Sequence, residues 1–285
     1  MHFNEGKACD AVIRRIEARE GKLRHNVRFP EKEKHSGPVE IACSIGESIF
    51  AFEHTGIEPF EGHLELEAKA KSHFEPLQTR LLGRLPPNEH FVLHIPAAAT
   101  LPFKLRELRS IHDALTAWIE STAPALPVAR LDRYIIQTKY ATLPGVPFEV
   151  ALHRVQRGGP PGHLSIVHLL ERNIEPQRTE RIRRVYVSHT NKLEAWRKLG
   201  ARTVLILEEN DMFATNHQRV AVAVESIEQE LVSRPDEIYL LSSASANPWY
   251  LWALRVDDHR YRELSTWGDS LSEIDSALLD NITGR

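Results

Sequence analysis

The sequence predicts an α/β protein in which helices flank a mixed β-sheet. Over 39–54, apolar and polar residues alternate on both sides of Gly46-Glu47, which is typical of an antiparallel hairpin. In the last third, helical patterns alternate with short apolar strands, of which TVLILE (203–208) and EIYLLS (237–242) are the clearest. Because strand–helix–strand alternation favours parallel pairing, both kinds of pairing are expected in one sheet.

Each further element has its own pattern. The first helix, over 8–20, has an apolar stripe of Ala8, Val12, Ile13 and Ile16 between charged residues. In chain order, the pattern then predicts a helix over 61–84, a strand over 90–96, a helix over 101–121, strands over 133–140, 148–155 and 163–170, helices over 178–199 and 215–233, a strand over 249–256 and a short helix over 270–280.

Composition excludes several classes of protein. Of the 285 residues, 42% are hydrophobic and 26% are charged, which is typical of a globular chain. The apolar runs are far shorter than the roughly 20 residues that span a bilayer, so no membrane segment is expected. Cys9 and Cys43 are the only cysteines, which argues against a disulfide framework or a cysteine-based zinc site. With no secretory signal pattern at the start, a cytoplasmic location is expected.

The charge pattern argues against constitutive DNA binding. The net charge is −3, whereas dedicated nucleic-acid binders usually carry a basic excess. Basic residues do cluster near the start and again on the helix over 178–199, but glutamates interleave both groups, which favours solvated helix faces. The clusters are Arg14, Arg15, Arg19, Lys22, Arg24 and Arg28, and then Arg178, Arg181, Arg183 and Arg184. An enzyme with a local basic cleft remains compatible with this composition.

Two glutamates on the hairpin are the main functional signal. If Gly46-Glu47 forms a two-residue turn, Ile45 pairs with Ser48, and counting outward brings Glu40 opposite Glu53. Opposed side chains have Cβ atoms roughly 4.5–5.5 Å apart, and like charges at that distance are destabilising. Such a pair needs a cation, a shared proton or open water, and Mg²⁺ is commonly held by one or two carboxylates. The alternative is a pair of solvent-exposed edge glutamates without a ligand.

The hairpin resembles the core of the PD-(D/E)XK nuclease-like superfamily. In that family, a helix with an acidic residue precedes a hairpin that carries an acid and then E-x-K. Glu17 on the first helix, Glu40 in PVE (38–40) and Glu53 in FAFEHT (50–55) match the three acidic positions in order. The family core continues with a helix and a strand, to which 191–210 is similar.

The resemblance implies a restriction-endonuclease-like core within a single nuclease-like domain over 1–285. Residues 56–175 would then be an α+β insertion into this core. The sequence departs from the family at the E-x-K lysine, because Thr55 occupies that position. Lys192, on the later helix, is the first candidate to supply the amine, and Lys69 and Lys71 are further candidates. Each of these lysines is otherwise explained as a solvated helix residue.

The resemblance also implies a reaction. Glu40 and Glu53 would hold Mg²⁺, with Mn²⁺ as the alternative, for hydrolysis of phosphodiester bonds in DNA or RNA. Glu17 would be an outer ligand or would position water, and Lys192 would supply the amine. The alternatives are a catalytically inactive nuclease-like module that binds nucleic acid or a protein partner, and an unrelated α/β protein without an active centre.

Two other features of the sequence could form a functional site, the histidines and an acidic run. The chain has 15 histidines, but none of them forms a tight metal-binding spacing such as H-E-x-x-H, so a histidine-based zinc site is not expected. The acidic run that begins at Glu208 and Glu209 follows a predicted parallel strand, where open α/β sheets bind ligands. Thr215 or Asn216 is expected to cap the helix that follows.

Overall fold

The chain divides into two compact units. Unit 1 comprises Met1–Glu61 and Ile174–Arg285, and unit 2 comprises Gly62–Asn173. Both bounds of unit 2 lie within 56–175, the range of the expected insertion. The structure is a computed structural model, and the residues it describes are 4–33, 38–58, 62–87, 89–96, 103–129, 137–155, 162–169, 174–209, 216–260 and 270–282.

Helices and strands together make up most of the described chain. The α-helices of the described residues are α1 (Glu5–Glu20), α2 (His63–Leu81), α3 (Leu105–Thr122), α4 (Glu175–Lys198) and α5 (His217–Glu230). Their strands are β1 (Arg24–Arg28), β2 (Ile41–Ile45), β3 (Ser48–Gly56), β4 (His90–Pro96), β5 (Val128–Ala129), β6 (Lys139–Thr142), β7 (Glu149–Val155), β8 (His163–Leu169), β9 (Arg202–Glu209), β10 (Glu237–Ser242), β11 (Trp249–Val256), β12 (His259–Arg260) and β13 (Leu271–Ile274).

Unit 1 is built on one mixed sheet. Its strands lie in the order β1-β2-β3-β9-β10-β11-β12, and β13 pairs with β11. The early strands β1, β2 and β3 pair antiparallel, whereas β9 pairs parallel with both β3 and β10. The expected α/β fold, with a mixed sheet flanked by helices, is therefore confirmed.

Helices cover both faces of the unit 1 sheet. On one face, the apolar stripe of α1 packs with Phe50 and Phe52 of β3. On the other face, α4 and α5 pack on the sheet, and the small side chains of Ala42 and Ala51 lie in the same core as Tyr186 of α4. The two faces of the hairpin thus carry different residues, large apolar ones under α1 and small ones under α4.

The hairpin has the register that the sequence predicts. Ile45 pairs with Ser48 and Ile41 with Phe52, and the intervening residues pair in step. Gly46 in the turn has φ of 62°, in the left-handed region where glycine is favoured. Glu40 stands one residue before β2. Since register decides which face each side chain meets, this pairing directs Glu53 to the face of Ala51 and α4.

Two elements differ from the sequence prediction. The expected short helix over 270–280 is wrong, because 271–274 form β13 on the edge of β11, followed by a single 3₁₀ turn at Ser276–Leu278. Backbone pairing along β11 outweighs the local helical pattern. Strand β1 was not predicted, since four of its five residues are exposed and a polar edge strand lacks the alternation that marks a buried one.

Unit 2 has its own sheet and core. Its described strands lie in the order β5-β7-β4-β8, with β6 paired to β7. Helices α2 and α3 contribute Leu77 and Leu115 to a core with Phe91 and Leu93 of β4. The first part of the strand expected at 133–140 lies outside the described residues. Across both units, no helix among the described residues is long and apolar enough to cross a membrane.

Candidate metal centre

Glu53 is a fully buried carboxylate on the face of β3 that α4 covers. Its side chain has no exposed surface, and its oxygens face the carboxyl group of Glu40 and the amine of Lys192. A buried charge is costly unless hydrogen bonds, a counter-charge or a bound cation compensate it. Burial accordingly raises the pKa of Glu53, and the hydrogen bond with Glu40 and the ion pair with Lys192 only partly offset the increase.

Glu40 is held beside Glu53 by the backbone of the same hairpin. The backbone N–H of His54 donates to Glu40 Oε2 at 2.7 Å. Burial, together with the neighbouring Glu53 carboxyl group, raises the pKa of Glu40 to about 9. The two carboxyl groups therefore cannot both be ionised at neutral pH without a compensating positive charge.

Helix α4 brings an amine and an imidazole to these carboxylates. Lys192 Nζ lies 2.5 Å from Glu53 Oε1, and His189 Nδ1 lies 3.5 Å from the same oxygen. Residues three apart share one helix face, so both side chains descend from α4 onto β3. Burial lowers the pKa of Lys192, but the ion pair with Glu53 outweighs this effect and the net shift is upward. Burial, and then the charge of Lys192, lower the pKa of His189, which keeps its ring neutral near pH 7.

These groups have the composition of a cation site. One ligand atom each of Glu40, Glu53 and His189 lies within 4.8 Å of the other two. Two carboxylates and a neutral imidazole are common ligands of divalent ions. The buried Glu53 oxygens and His189 Nδ1, which has no hydrogen-bond partner in the described part of the chain, therefore fit a divalent cation.

A third carboxylate, Glu31, also lies near this group. It sits on the exposed turn after β1, where its backbone N–H donates to the carbonyl oxygen of Val39 at 3.1 Å. Its negative charge contributes to raising the pKa of both Glu53 and Lys192. Sequence reasoning missed Glu31, because an exposed glutamate in a polar stretch carries no local signal.

Glu17 does not join the group, and this expectation is corrected. Its Oε1 accepts a hydrogen bond from the backbone N–H of Arg24 at 2.8 Å and lies 3.4 Å from Arg24 Nε. Helix α1 packs on the face of Phe50 and Phe52, opposite the face on which Glu53 lies. Of the four residues predicted to form the site, the structure brings together Glu40, Glu53 and Lys192.

His189 was missed for a different reason. Sequence reasoning weighed it among sites made of histidines only, where it has no suitably spaced partner. The available signal was its spacing of three residues from Lys192 on a helix expected to pack on the strand of Glu53. The two other candidate amines lie on α2 of unit 2, where Lys69 Nζ is 4.0 Å from Glu65 Oε1 and Lys71 is exposed.

The basic clusters are largely neutralised by acids. In the first cluster, Arg14 pairs with Asp10 and Arg19 with Glu237. In the cluster on α4, Arg183 pairs with Glu230. Asp10 and Glu237 are fully buried, and Arg178 is itself buried, so the prediction of solvated helix faces is wrong for part of both clusters. The paired arginines are not evidence for a nucleic-acid surface.

The acidic end of β9 has a structural role. Glu208 is fully buried and accepts hydrogen bonds from the backbone and side chain of Asn4, at 2.9 and 3.1 Å, and from Ser243 at 2.5 Å. Its Oε2 also lies 2.8 Å from His54 Nε2. Asn4 is the residue that precedes the first turn of α1. The negative charge of Glu208 therefore stabilises the N-terminus of that helix. Residues 210 and 211 of the acidic run lie outside the described residues, and Asn216 caps α5, as expected.

Comparisons of the chain with protein-family models, with curated proteins and with solved structures find no match.

Proposed function

We propose that this chain is a metal-dependent nuclease that hydrolyses phosphodiester bonds of DNA or RNA. The observation that carries the proposal is Glu53, a fully buried carboxylate that lies beside the Glu40 carboxyl group and 2.5 Å from Lys192 Nζ. Two carboxylates can hold a divalent ion for metal-assisted phosphodiester hydrolysis, and an amine beside them can neutralise charge on the phosphate.

Each residue has a distinct role in this proposal. Glu40 and Glu53 hold a divalent cation, Mg²⁺ or Mn²⁺. Such an ion supplies Lewis-acid polarisation of a phosphate oxygen and makes a water molecule easier to deprotonate. Lys192 Nζ neutralises charge on the phosphate or orients the attacking water, because its ammonium group reaches Glu53 Oε1 while a third of its side chain stays exposed. The N–H of His54 fixes the orientation of Glu40.

The chain order supports the resemblance to the PD-(D/E)XK superfamily. An N-terminal helix α1 precedes the antiparallel strands β1, β2 and β3, and after unit 2 the chain continues with α4 and with β9, parallel to β3. This is the order of helix, hairpin, helix and strand that the resemblance implies. The amine on α4 would replace the missing E-x-K lysine.

The alternative is a catalytically inactive nuclease-like module that binds nucleic acid or a protein partner. Thr55 favours it, because this residue occupies the position of the family lysine. Its hydroxyl donates weakly, at 3.4 Å, to the carbonyl oxygen of Gly56. A threonine there supplies no cationic group, so activity depends on whether Lys192 replaces the lysine functionally.

A cleavage assay separates the two functions. Purified protein is incubated with single- and double-stranded DNA and RNA, with Mg²⁺, with Mn²⁺ and with a chelator. Cleavage that needs the metal, and that Glu53→Gln abolishes, supports the nuclease. Glu47→Gln, on the exposed turn of the same hairpin, is the matched control and should cleave normally. Binding without cleavage, unchanged in Glu53→Gln, would instead support the inactive module.

We also propose a cytoplasmic location. Cys9 and Cys43 are both free and buried, which suits a reducing compartment. A measured thiol content of two per chain in protein purified without reductant, but under denaturing conditions, would agree with this proposal. An oxidised pair would contradict it.

A further inference from the structure

His189 gives the site a nitrogen ligand that a magnesium centre does not need. Its Nδ1 points at Glu53, 3.5 Å from Oε1, and has no hydrogen-bond partner in the described chain. An imidazole nitrogen without a hydrogen-bond partner can offer its lone pair to a cation. His189 and Lys192 come from the same helix face, but only the imidazole can act as a metal ligand while the amine is protonated.

Ligand type separates the divalent ions that this site can hold. Mg²⁺ is a hard ion that prefers oxygen ligands in near-ideal octahedral geometry and keeps several waters. Imidazole favours first-row transition-metal ions such as Zn²⁺, and affinity for mixed nitrogen and oxygen sites rises from Mn²⁺ along that row. Replacing one oxygen ligand by nitrogen therefore shifts the preference of a two-carboxylate site away from Mg²⁺.

The geometry allows all three groups to reach one ion. Their ligand atoms lie within 4.8 Å of one another, and metal–ligand bonds of about 2.0–2.2 Å separate the ligands of one ion by roughly 3–4 Å. Small side-chain rotations would therefore bring all three ligand atoms within bonding distance of one ion. Glu40 and Glu53 come from the hairpin and His189 from α4, so rotation of the two glutamate side chains and of the imidazole supplies the adjustment.

We propose that Glu40, Glu53 and His189 together bind a first-row transition-metal ion, such as Mn²⁺ or Zn²⁺, in preference to Mg²⁺. The inference deepens the proposed function, because it names the cofactor class of the same site. It does not need the chain to cleave nucleic acid. Lys192 Nζ lies 2.5 Å from Glu53 Oε1, so an ion bound to that oxygen would compete with this ion pair.

Calorimetry and electron paramagnetic resonance test this proposal on the full-length protein. Titrations with MnCl₂, ZnCl₂ and MgCl₂ should give Kd values for Mn²⁺ and Zn²⁺ at least about tenfold below that for Mg²⁺. The echo-modulation spectrum of bound Mn²⁺ should contain ¹⁴N coupling from one imidazole. His189→Gln should remove that coupling and raise the Kd for Mn²⁺ and Zn²⁺ at least about tenfold, while the Kd for Mg²⁺ changes less than threefold.

The matched control is His217→Gln on α5. His217 stacks on Trp252, with ring centroids 4.8 Å apart, and takes no part in the site, so this variant should bind all three ions as the wild type does. Circular dichroism checks that both variants fold. Equal Kd values for Mn²⁺ and Mg²⁺, absence of ¹⁴N coupling, or unchanged binding in His189→Gln would overturn the inference.

The outcome is distinguishable from that of the proposed function. Bound Mn²⁺ with ¹⁴N coupling but without cleavage of any nucleic acid supports the inference and overturns the nuclease. Cleavage with Mg²⁺ together with Mn²⁺ binding that lacks ¹⁴N coupling does the reverse. Failure of all three ions to bind overturns both.

Discussion

Glu53 and Glu208 lie on neighbouring parallel strands, and both are fully buried, yet their surroundings are opposite. Glu208 lies on the α1 side of the sheet, where Asn4, Ser243 and His54 surround its two oxygens. Glu53 lies on the α4 side, where its partners are the amine of Lys192, at 2.5 Å, and a second carboxyl group, that of Glu40. Two buried glutamates thus differ in their partners: hydrogen-bond donors surround Glu208, whereas an ion pair and a second carboxyl group surround Glu53.

The difference separates a structural carboxylate from a candidate ligand. Burial raises the pKa of either group, but at Glu208 the hydrogen bonds outweigh burial and the net pKa is lowered. At Glu53 burial prevails and the net pKa is raised. Glu53 is therefore the carboxylate at which a bound cation would relieve the cost of burial, which makes it the candidate ligand of the two.

The largest expected effect is on catalysis, through Lys192. Lys192→Met removes the only cation that pairs with Glu53 among the described residues and should lower the metal-dependent cleavage rate at least about 100-fold. Lys198→Met, at the exposed end of α4, should cleave at the wild-type rate. Single-turnover cleavage measures both. A rate for Lys192→Met within about threefold of wild type would show that the amine serves only as an ion-pair partner.

The second effect is on stability, through Glu208. Glu208→Ala leaves His54, Ser243 and the N-terminus of α1 without their acceptor, so the free energy of unfolding should fall by roughly 2–4 kcal/mol. Glu53→Gln should lower it less, since it removes the ion pair with Lys192 but relieves the cost of burying the Glu53 carboxylate. Urea unfolding, with Glu47→Ala as the exposed control, measures all three. A larger loss for Glu53→Gln than for Glu208→Ala would remove the distinction between the two carboxylates.

A smaller difference is expected in the pH dependence of stability. Because the pKa of Glu40 is raised from an ordinary 4.5 to about 9, the folded chain binds a proton that the unfolded chain has lost in this range. The stabilising contribution of this group is thus complete below about pH 4.5 and is lost as the pH rises towards 9. The lowered pKa of Glu208 acts with opposite sign, because its contribution is present above the ordinary value and is lost on acidification.

Glu40→Gln isolates the first of these effects. In urea unfolding at pH 5, 7 and 9 with a chelator present, the variant should lose less stability between pH 5 and 9 than the wild type. Parallel curves for the two proteins would mean that Glu40 titrates normally in the folded state.

The smallest effect concerns a single partner of Glu208. Asn4→Ala removes one side-chain donor at 3.1 Å but keeps the backbone N–H, so the free energy of unfolding should fall by about 1–2 kcal/mol. The same urea titration measures it, and the pair Asn4→Ala and Glu208→Ala should be less than additive. Full additivity would show that Asn4 stabilises the fold by another route.

The sequence predicts the fold more fully than the site, and particular residues show why. The register of the hairpin follows from a glycine turn and strict alternation, so the approach of Glu40 to Glu53 was predictable. Lys192 was predictable only through the resemblance. Glu31 and His189 were not identified, because their proximity depends on how a polar turn and a distant helix pack on the hairpin. Glu17 was misassigned, because chain order does not reveal that Arg24, on an unpredicted edge strand, binds it.

The position of unit 2 in the chain determines when the residues of the proposed metal centre come together during synthesis. Both glutamates emerge on a local hairpin that needs only a two-residue turn. His189 and Lys192 follow after the whole of Gly62–Asn173, which takes on the order of ten seconds to translate. A nascent chain therefore presents a bare pair of acids until its second half leaves the ribosome, and it gains the imidazole and the amine in one step, when a single helix docks.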